Sequence, residues 1–233
     1  CLSGAAYLAL GPLGKRYQPF SNWELPRWKS WRELLHLGLP MGLSNLVEIT
    51  SFTLISLFIA SLGASVVAGH RIVANLAALC YMLPLSLAIA TLSAVGQAVG
   101  ARDWRRAHAA IAAGLLLAAI LSTIVGLLIW ISGDVLVSAY TDDPAVRSVA
   151  LTLTVFIALC QFFDALQTVA SHVLRAYRIT FVPMLVQIFC FWGIGLYGGW
   201  WFCYRASPPL GVEGFWIASV ISLVFSAAML GPL

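Results

Sequence analysis

The chain has 233 residues, 61% of them hydrophobic and only 9% charged, with a formal net charge of +4. Soluble domains run at about 45–50% apolar and about 25% charged, so this composition excludes a soluble globular protein and indicates an integral membrane one. The positive balance does not point to nucleic acid, because the basic residues lie in loops between apolar runs, where they report topology.

In chain order, residues 1–11 (CLSGAAYLALG) read as the end of a preceding helix. They carry no basic n-region and no A-x-A cleavage site, so the expectation is a piece of a larger protein that starts inside a helix. Residues 12–33 form a polar loop in which Trp23, Trp28 and Trp31 alternate with Arg27, Lys29 and Arg32, a mixture suited to the headgroup layer. Six apolar helices are then expected at 34–62, 65–99, 105–131, 144–174, 180–203 and 212–231. Each is long enough to cross about 30 Å of hydrocarbon. Pro40 and Pro84 fall inside the first and second helices; each removes a backbone donor, which predicts kinks. Gly63 and Gly100 are the expected left-handed ends of these two helices. Asp143 followed by Pro144 reads as an N-cap and first helical residue, a better account of the Asp142–Asp143 pair than an ion site.

Loop charges set the orientation. Lys15, Arg16, Arg27, Lys29 and Arg32 precede the first helix, Arg102, Arg105 and Arg106 follow the second, and Arg175 and Arg178 follow the fourth. The alternate loops are neutral, acidic or balanced, so residues 12–33 and the C-terminus are expected on the cytoplasmic side.

Two acids interrupt this apolar pattern, Glu48 near the middle of the first helix and Asp164 in the middle third of the fourth. An acid at the bilayer centre costs about 2.5–3.5 kcal/mol on insertion scales, so such residues face a cavity and bind something. Ser44, Asn45 and Ser51 accompany Glu48, while Gln161, Thr168 and Ser171 accompany Asp164 at spacings of three and four, giving two polar stripes at one depth. Together they offer oxygen ligands to a hard cation or a shared proton. The competing reading of each acid is a structural hydrogen bond to a neighbouring helix.

His70 and Arg71 lie about 10 Å into the second helix, where Arg71 is expected to snorkel outward, with Asn75 one turn further in. His36 and His172 read as interfacial, and Glu213 as a helix-start acid without further role. The aromatic residues of the fifth helix (Phe189, Phe191, Trp192, Tyr197, Trp200, Trp201) are expected to face lipid for the most part. The cysteines Cys1, Cys80, Cys160, Cys190 and Cys203 show no ligand spacing and read as small buried hydrophobes. Motifs of nucleophilic, metal-hydrolytic or phosphate-binding enzymes are absent from the sequence, so the pattern does not point to an enzyme.

These residues resemble the multidrug and toxic compound extrusion (MATE) transporters, in their NorM-like branch. The resemblance runs from about Leu34 to the end. It is carried by LGLPMGLSNLVEITSFTLISLFIASLG, VVAGHRIVANLAALCYMLPLSLAIATLSAVGQAVGARD, YTDDPAV, QFFDALQTVASHVLRAYR and GVEGFWIASV. It implies an all-α polytopic membrane protein in which residues 1–33 are a helix tail plus a cytoplasmic inter-lobe loop and 34–233 are the C-terminal six-helix lobe. It further implies secondary active efflux of lipophilic or cationic drugs, and so antibiotic resistance, by antiport with Na⁺ or H⁺ across the inner (plasma) membrane. Glu48 and Asp164 match the family's coupling acids, the ligands of Na⁺ if Na⁺ is the coupling ion. Ser44, Asn45, Ser51, Asn75, Gln161 and Thr168 would line the cavity. The implied partners are the drugs, the bilayer and the N-terminal lobe, with no nucleic acid, and no cofactor besides the coupling ion.

The chain departs from the family pattern at three places. Cys160 stands where some members carry a tyrosine near the Na⁺ site, RAYRITF replaces the usual Lys-Asp loop, and Tyr197 replaces a common proline. The alternatives are a lipid-linked oligosaccharide flippase of similar architecture, which would want cationic cavity residues, and a non-transporting membrane subunit.

Overall fold

The computed structural model describes residues 28–231. By contacts the chain forms two units, Cys1–Gly38 and Leu39–Leu233. Of the first, residues 28–38 are described, and they are helical. The expected helix tail over 1–11, Cys1, Trp23 and the basic residues Lys15, Arg16 and Arg27 lie outside the described residues.

Among the described residues six helices are long and apolar enough to cross a membrane, and there is no strand. They are α1 (Trp28–Ile59, continued by a 3₁₀ turn Ala60–Leu62), α2 (Ala64–Gly100), α3 (Trp104–Ser138), α4 (Pro144–Ala176), α5 (Phe181–Tyr204) and α6 (Val212–Leu230). Large apolar side chains such as Leu116, Leu128, Ile131 and Val135 point outward, as a lipid solvent permits and water does not.

Helix α4 is the hub, packed against α2, α3 and α6, while α5 packs on α6 and α1 approaches the others least closely. The stripe that α3 buries is mostly small residues, Ala107, Gly114, Ala118, Ser122, Gly126 and Gly133, joined by Ile129 and Val137. Lipid tails give helices no hydrophobic reason to associate, so close backbone approach through small residues supplies the contact. A Cβ on Gly126 would stand 3.1 Å from the Ala158 carbonyl, and one on Gly133 would stand 3.1 Å from the Thr154 methyl.

This packing corrects two expected boundaries. Helix α3 runs on to Ser138 instead of ending at 131, because Gly133 is a contact with α4 and not a break. Helix α1 is already helical at Trp28, ahead of the expected start at 34, so the last residues of the expected loop are helical. Both α1 and α2 continue through their prolines, Pro40 and Pro84.

A third correction concerns Gly100. It is the last residue of α2, and the left-handed position falls on Arg102 at φ 57°. Asp103 N–H donates to Ala98 O at 2.9 Å and Arg102 N–H to Val99 O at 3.0 Å, which is a Schellman closure. The same pair of bonds ends α4, from Ile179 to Leu174 O (2.9 Å) and from Arg178 to Arg175 O (3.0 Å), with Arg178 at φ 63°. The two loops share one geometry, and satisfied carbonyls offset a left-handed cost of about 1–2 kcal/mol at each arginine. Gly63 adopts φ +117° and ψ 159° between the 3₁₀ turn and α2, a conformation open to glycine. Asp143 caps α4 by accepting from Ala145 N–H at 2.8 Å, and Asp103 caps α3 by accepting from Arg106 N–H at 3.0 Å.

The middle of α5, Ile188–Gly198, is a π-helix of 11 residues, which sequence periodicity did not suggest. Two successive carbonyls of this wide segment take donors from neighbouring helices. Ser222 Oγ donates to Cys190 O at 2.7 Å and Ser51 Oγ to Phe191 O at 3.0 Å.

Candidate functional site

Because α1 stands off from the bundle, a cavity of about 420 Å³ opens between α1, α2, α4 and α6. That volume falls within the range of about 300–1,000 Å³ typical of small-molecule sites. Glu48 from α1 and Asp164 from α4 both line it. Among the described residues no Lys or Arg lines it, and no group of three or more His, Cys, Asp or Glu forms a metal centre.

Asp164 is held from behind. Its Oδ1 accepts from Gln167 Nε2 at 3.2 Å, and Gln167 Oε1 accepts from Ser226 Oγ of α6 at 3.3 Å. Gln161, one turn before Asp164, lines the cavity and donates Nε2–H to Cys80 O of α2 at 3.1 Å.

The remaining polar lining offers mainly lone pairs. The hydroxyls of Thr53, Ser56 and Ser219 donate to Ile49 O, Phe52 O and Phe215 O at 2.8, 3.0 and 2.8 Å. Each therefore keeps its own helix satisfied and leaves oxygen lone pairs for anything that enters. Ser56 Oγ is also 3.2 Å from His70 Nε2. The His70 ring meets Trp216 edge-on with centroids 5.8 Å apart. Phe52, Phe215, Ile55, Ile157 and Leu223 complete a largely apolar wall. Two acids among oxygen acceptors and aromatic faces suit a cation with an apolar body.

Of the residues expected beside the acids, Gln161 lines the cavity, whereas Ser44, Asn45, Ser51, Asn75 and Thr168 do not. On α1 the buried stripe runs Ser44, Val47, Ser51, Ile55 and Ile59. At 100° per residue Glu48 is turned about 40–60° from its two serines, so it faces the cavity while Ser51 faces α5. Asn45 is exposed, and Asn75 accepts from Tyr140 O–H at 3.0 Å on the surface. Thr168 and Ser171 are buried in the bundle below Asp164. His172, expected at the interface, is also buried, its Nδ1 2.8 Å from Thr168 O; His36 is exposed. Arg71 is exposed and points away from the cavity wall. The aromatic residues of α5 do not line the cavity, and Phe191 alone among those expected to face lipid is fully buried, against α1 and α6.

Sequence reasoning missed His70, Tyr81 and Trp216 as lining residues, and the Gln167–Ser226 bracket behind Asp164. A signal existed for α2: positions 70, 74, 77 and 81 recur at helical spacing and define one face. Nothing local marked Trp216 or Ser226, which reach the site through the packing of α6 on α4.

The MatE family profile matches residues 40–201. The chain is 50% identical over 233 residues to a probable multidrug resistance protein NorM of Aromatoleum aromaticum, covering 98% of this chain and 50% of that protein. It is 38% identical over 219 residues to the multidrug resistance protein PmpM of Pseudomonas aeruginosa, covering 91% of this chain and 45% of that one. The fold matches the crystal structure of the eukaryotic MATE transporter AtDTX14 with a TM-score of 0.88 at 17% identity, over 98% of this chain and 50% of that one. It also matches an outward-facing multidrug resistance MATE transporter with a TM-score of 0.86 at 17% identity, over 97% and 51% of the two chains. The chain thus spans about half the length of the relatives it matches. On the sequence match and the shared six-helix fold, it belongs to the MatE family, a family of membrane transporters and not of enzymes.

Proposed function

We propose that the chain acts as the C-terminal lobe of a secondary antiporter that expels lipophilic or cationic drugs in exchange for Na⁺ or H⁺. Glu48 and Asp164 are its coupling acids. One observation carries this reading: the two acids, on helices far apart in sequence, line a single cavity with no Lys or Arg among its described residues. The multidrug resistance names of the relatives support the substrate class.

In this reading drug and coupling ion compete. A proton on either acid, or Na⁺ between them, neutralises the charge that attracts a cationic drug. Exchange follows when the two ligands favour opposite conformations. Cys160, at the position of the tyrosine that some members carry near the Na⁺ site, lines the cavity and offers no hard oxygen ligand, which favours H⁺. The six-helix lobe includes α1 from Trp28 onward, the residues before it belong to a helix tail and inter-lobe loop, and an N-terminal lobe closes the far side of the cavity; the half coverage of the relatives supports this division. The Lys/Arg distribution supports the inner membrane, with residues 12–33 and the C-terminus cytoplasmic. A flippase for an anionic lipid-linked sugar is disfavoured, because its pyrophosphate would meet two acids and no lining Lys or Arg among the described residues.

Ethidium or fluoroquinolone efflux by the whole protein tests the reading after Glu48→Gln and Asp164→Asn. Each substitution is expected to lower ion-coupled efflux about tenfold or more at equal expression, about 1.4 kcal/mol per factor of ten. Unchanged efflux in both variants would refute the assignment.

A further inference from the structure

A proline inside a helix leaves the carbonyl four residues earlier without its N–H partner. In α2 that carbonyl belongs to Cys80, opposite Pro84. An orphaned buried carbonyl costs about 1–3 kcal/mol, and in lipid no water is at hand to relieve it. Cys80 O is nevertheless paired, because Gln161 reaches across from α4 and donates Nε2–H at 3.1 Å. Gln161 is buried, lines the cavity and stands one turn from Asp164. It bridges α2 and α4, the most extensive helix pair in the bundle. Above and below Pro84, α2 carries His70 and Tyr81 on the cavity wall and Ala88 and Val95 in the core.

We propose that Gln161 is a positioning residue: it supplies from α4 the hydrogen bond that Pro84 withholds, and so fixes the course of α2, and the cavity wall that α2 bears, relative to Asp164. The idea rests in part on the efflux reading, since it makes Gln161 matter for ligand binding, but the backbone geometry it asserts does not depend on any ligand. Without the bridge, α2 loses the cross-helix hydrogen bond at the proline and samples a range of angles there. The acid on α4 and the wall on α2 then lose register.

The test exploits a chemical equivalence. Pro84→Ala restores an N–H to Cys80 O within α2 and so makes the Gln161 amide dispensable. Spin labels are attached through Ser65→Cys and Ala101→Cys, both exposed positions near the ends of α2, in the whole protein with Cys1, Cys80, Cys160, Cys190, Cys203 and every other native cysteine replaced. The distance distribution between the labels is measured in nanodiscs, and ethidium binding is titrated in parallel. Gln161→Leu is expected to broaden the distribution and weaken ethidium about tenfold. Adding Pro84→Ala to Gln161→Leu is expected to narrow the distribution and return affinity to within about threefold. A purely space-filling role for Gln161 would not be rescued by a change on another helix.

An unchanged distribution in Gln161→Leu, or no rescue by Pro84→Ala, overturns the proposal. If Gln161→Leu does not fold, recovery of folded protein in the double variant supports it, and failure of both variants overturns it. If the unsubstituted protein does not bind ethidium, the efflux reading fails, while the label distances still decide the role of Gln161.

Discussion

At the scale of single residues, Glu48 and Asp164 were legible because a charge is rare inside an apolar helix and expensive there. Serines, threonines and glycines carry no such mark, since a hydroxyl can bond to its own helix or to another one and a glycine is silent until something presses on it. Gly214 and Gly42 show how far context decides. A Cβ on Gly214 would stand 2.8 Å from Cys203 N and 2.9 Å from Phe202 C, backbone atoms of α5 that cannot step aside, whereas one on Gly42 meets nothing within 4 Å. Gly214→Ala is therefore expected to destabilise by about 1–3 kcal/mol through overpacking. Gly42→Ala is expected to be neutral or to stabilise by up to about 1 kcal/mol through helix propensity. Thermal unfolding in one detergent compares them, and equal melting temperatures for the two variants would show that the α5–α6 contact has room to give.

At the scale of elements, periodicity located all six spans to within a few residues at most ends, and missed where tertiary contacts overrode local signals. The third helix, expected to end at 131, runs on through Gly133, which is a helix contact. The π segment of α5 had no sequence signature, because its widened turns are completed by hydroxyls from two other helices. Ser222→Ala and Ser51→Ala are each expected to remove about 0.6–1.7 kcal/mol, the range for interhelical hydrogen bonds in membranes. Amide hydrogen exchange across residues 188–198 should accelerate in both variants and in no other span. Unaltered exchange in this segment would mean that the π geometry is intrinsic to its own sequence.

At the scale of the whole molecule, the described helices line a drug-sized cavity beside α4, and the loop charges predict an orientation that labelling can test. In intact cells a membrane-impermeant maleimide is expected to label Ser65→Cys and Thr141→Cys, near the α1–α2 turn and in the α3–α4 loop. It should spare Ala101→Cys in the α2–α3 loop until the membrane is opened. The reverse pattern would invert the topology and place the arginine-bearing Schellman turns outside.

Composition and hydropathy by themselves pointed to six apolar spans with one acid inside the first and one inside the fourth, because insertion into lipid is a local, additive transaction between each segment and its solvent. Only the tertiary structure decided which neighbours share the cavity with those acids, that Ser51 serves α5 and that Gln161 completes α2. Those facts depend on how each helix is rotated about its axis, and rotation is set by pairwise packing between segments distant in the chain. No window of sequence contains it.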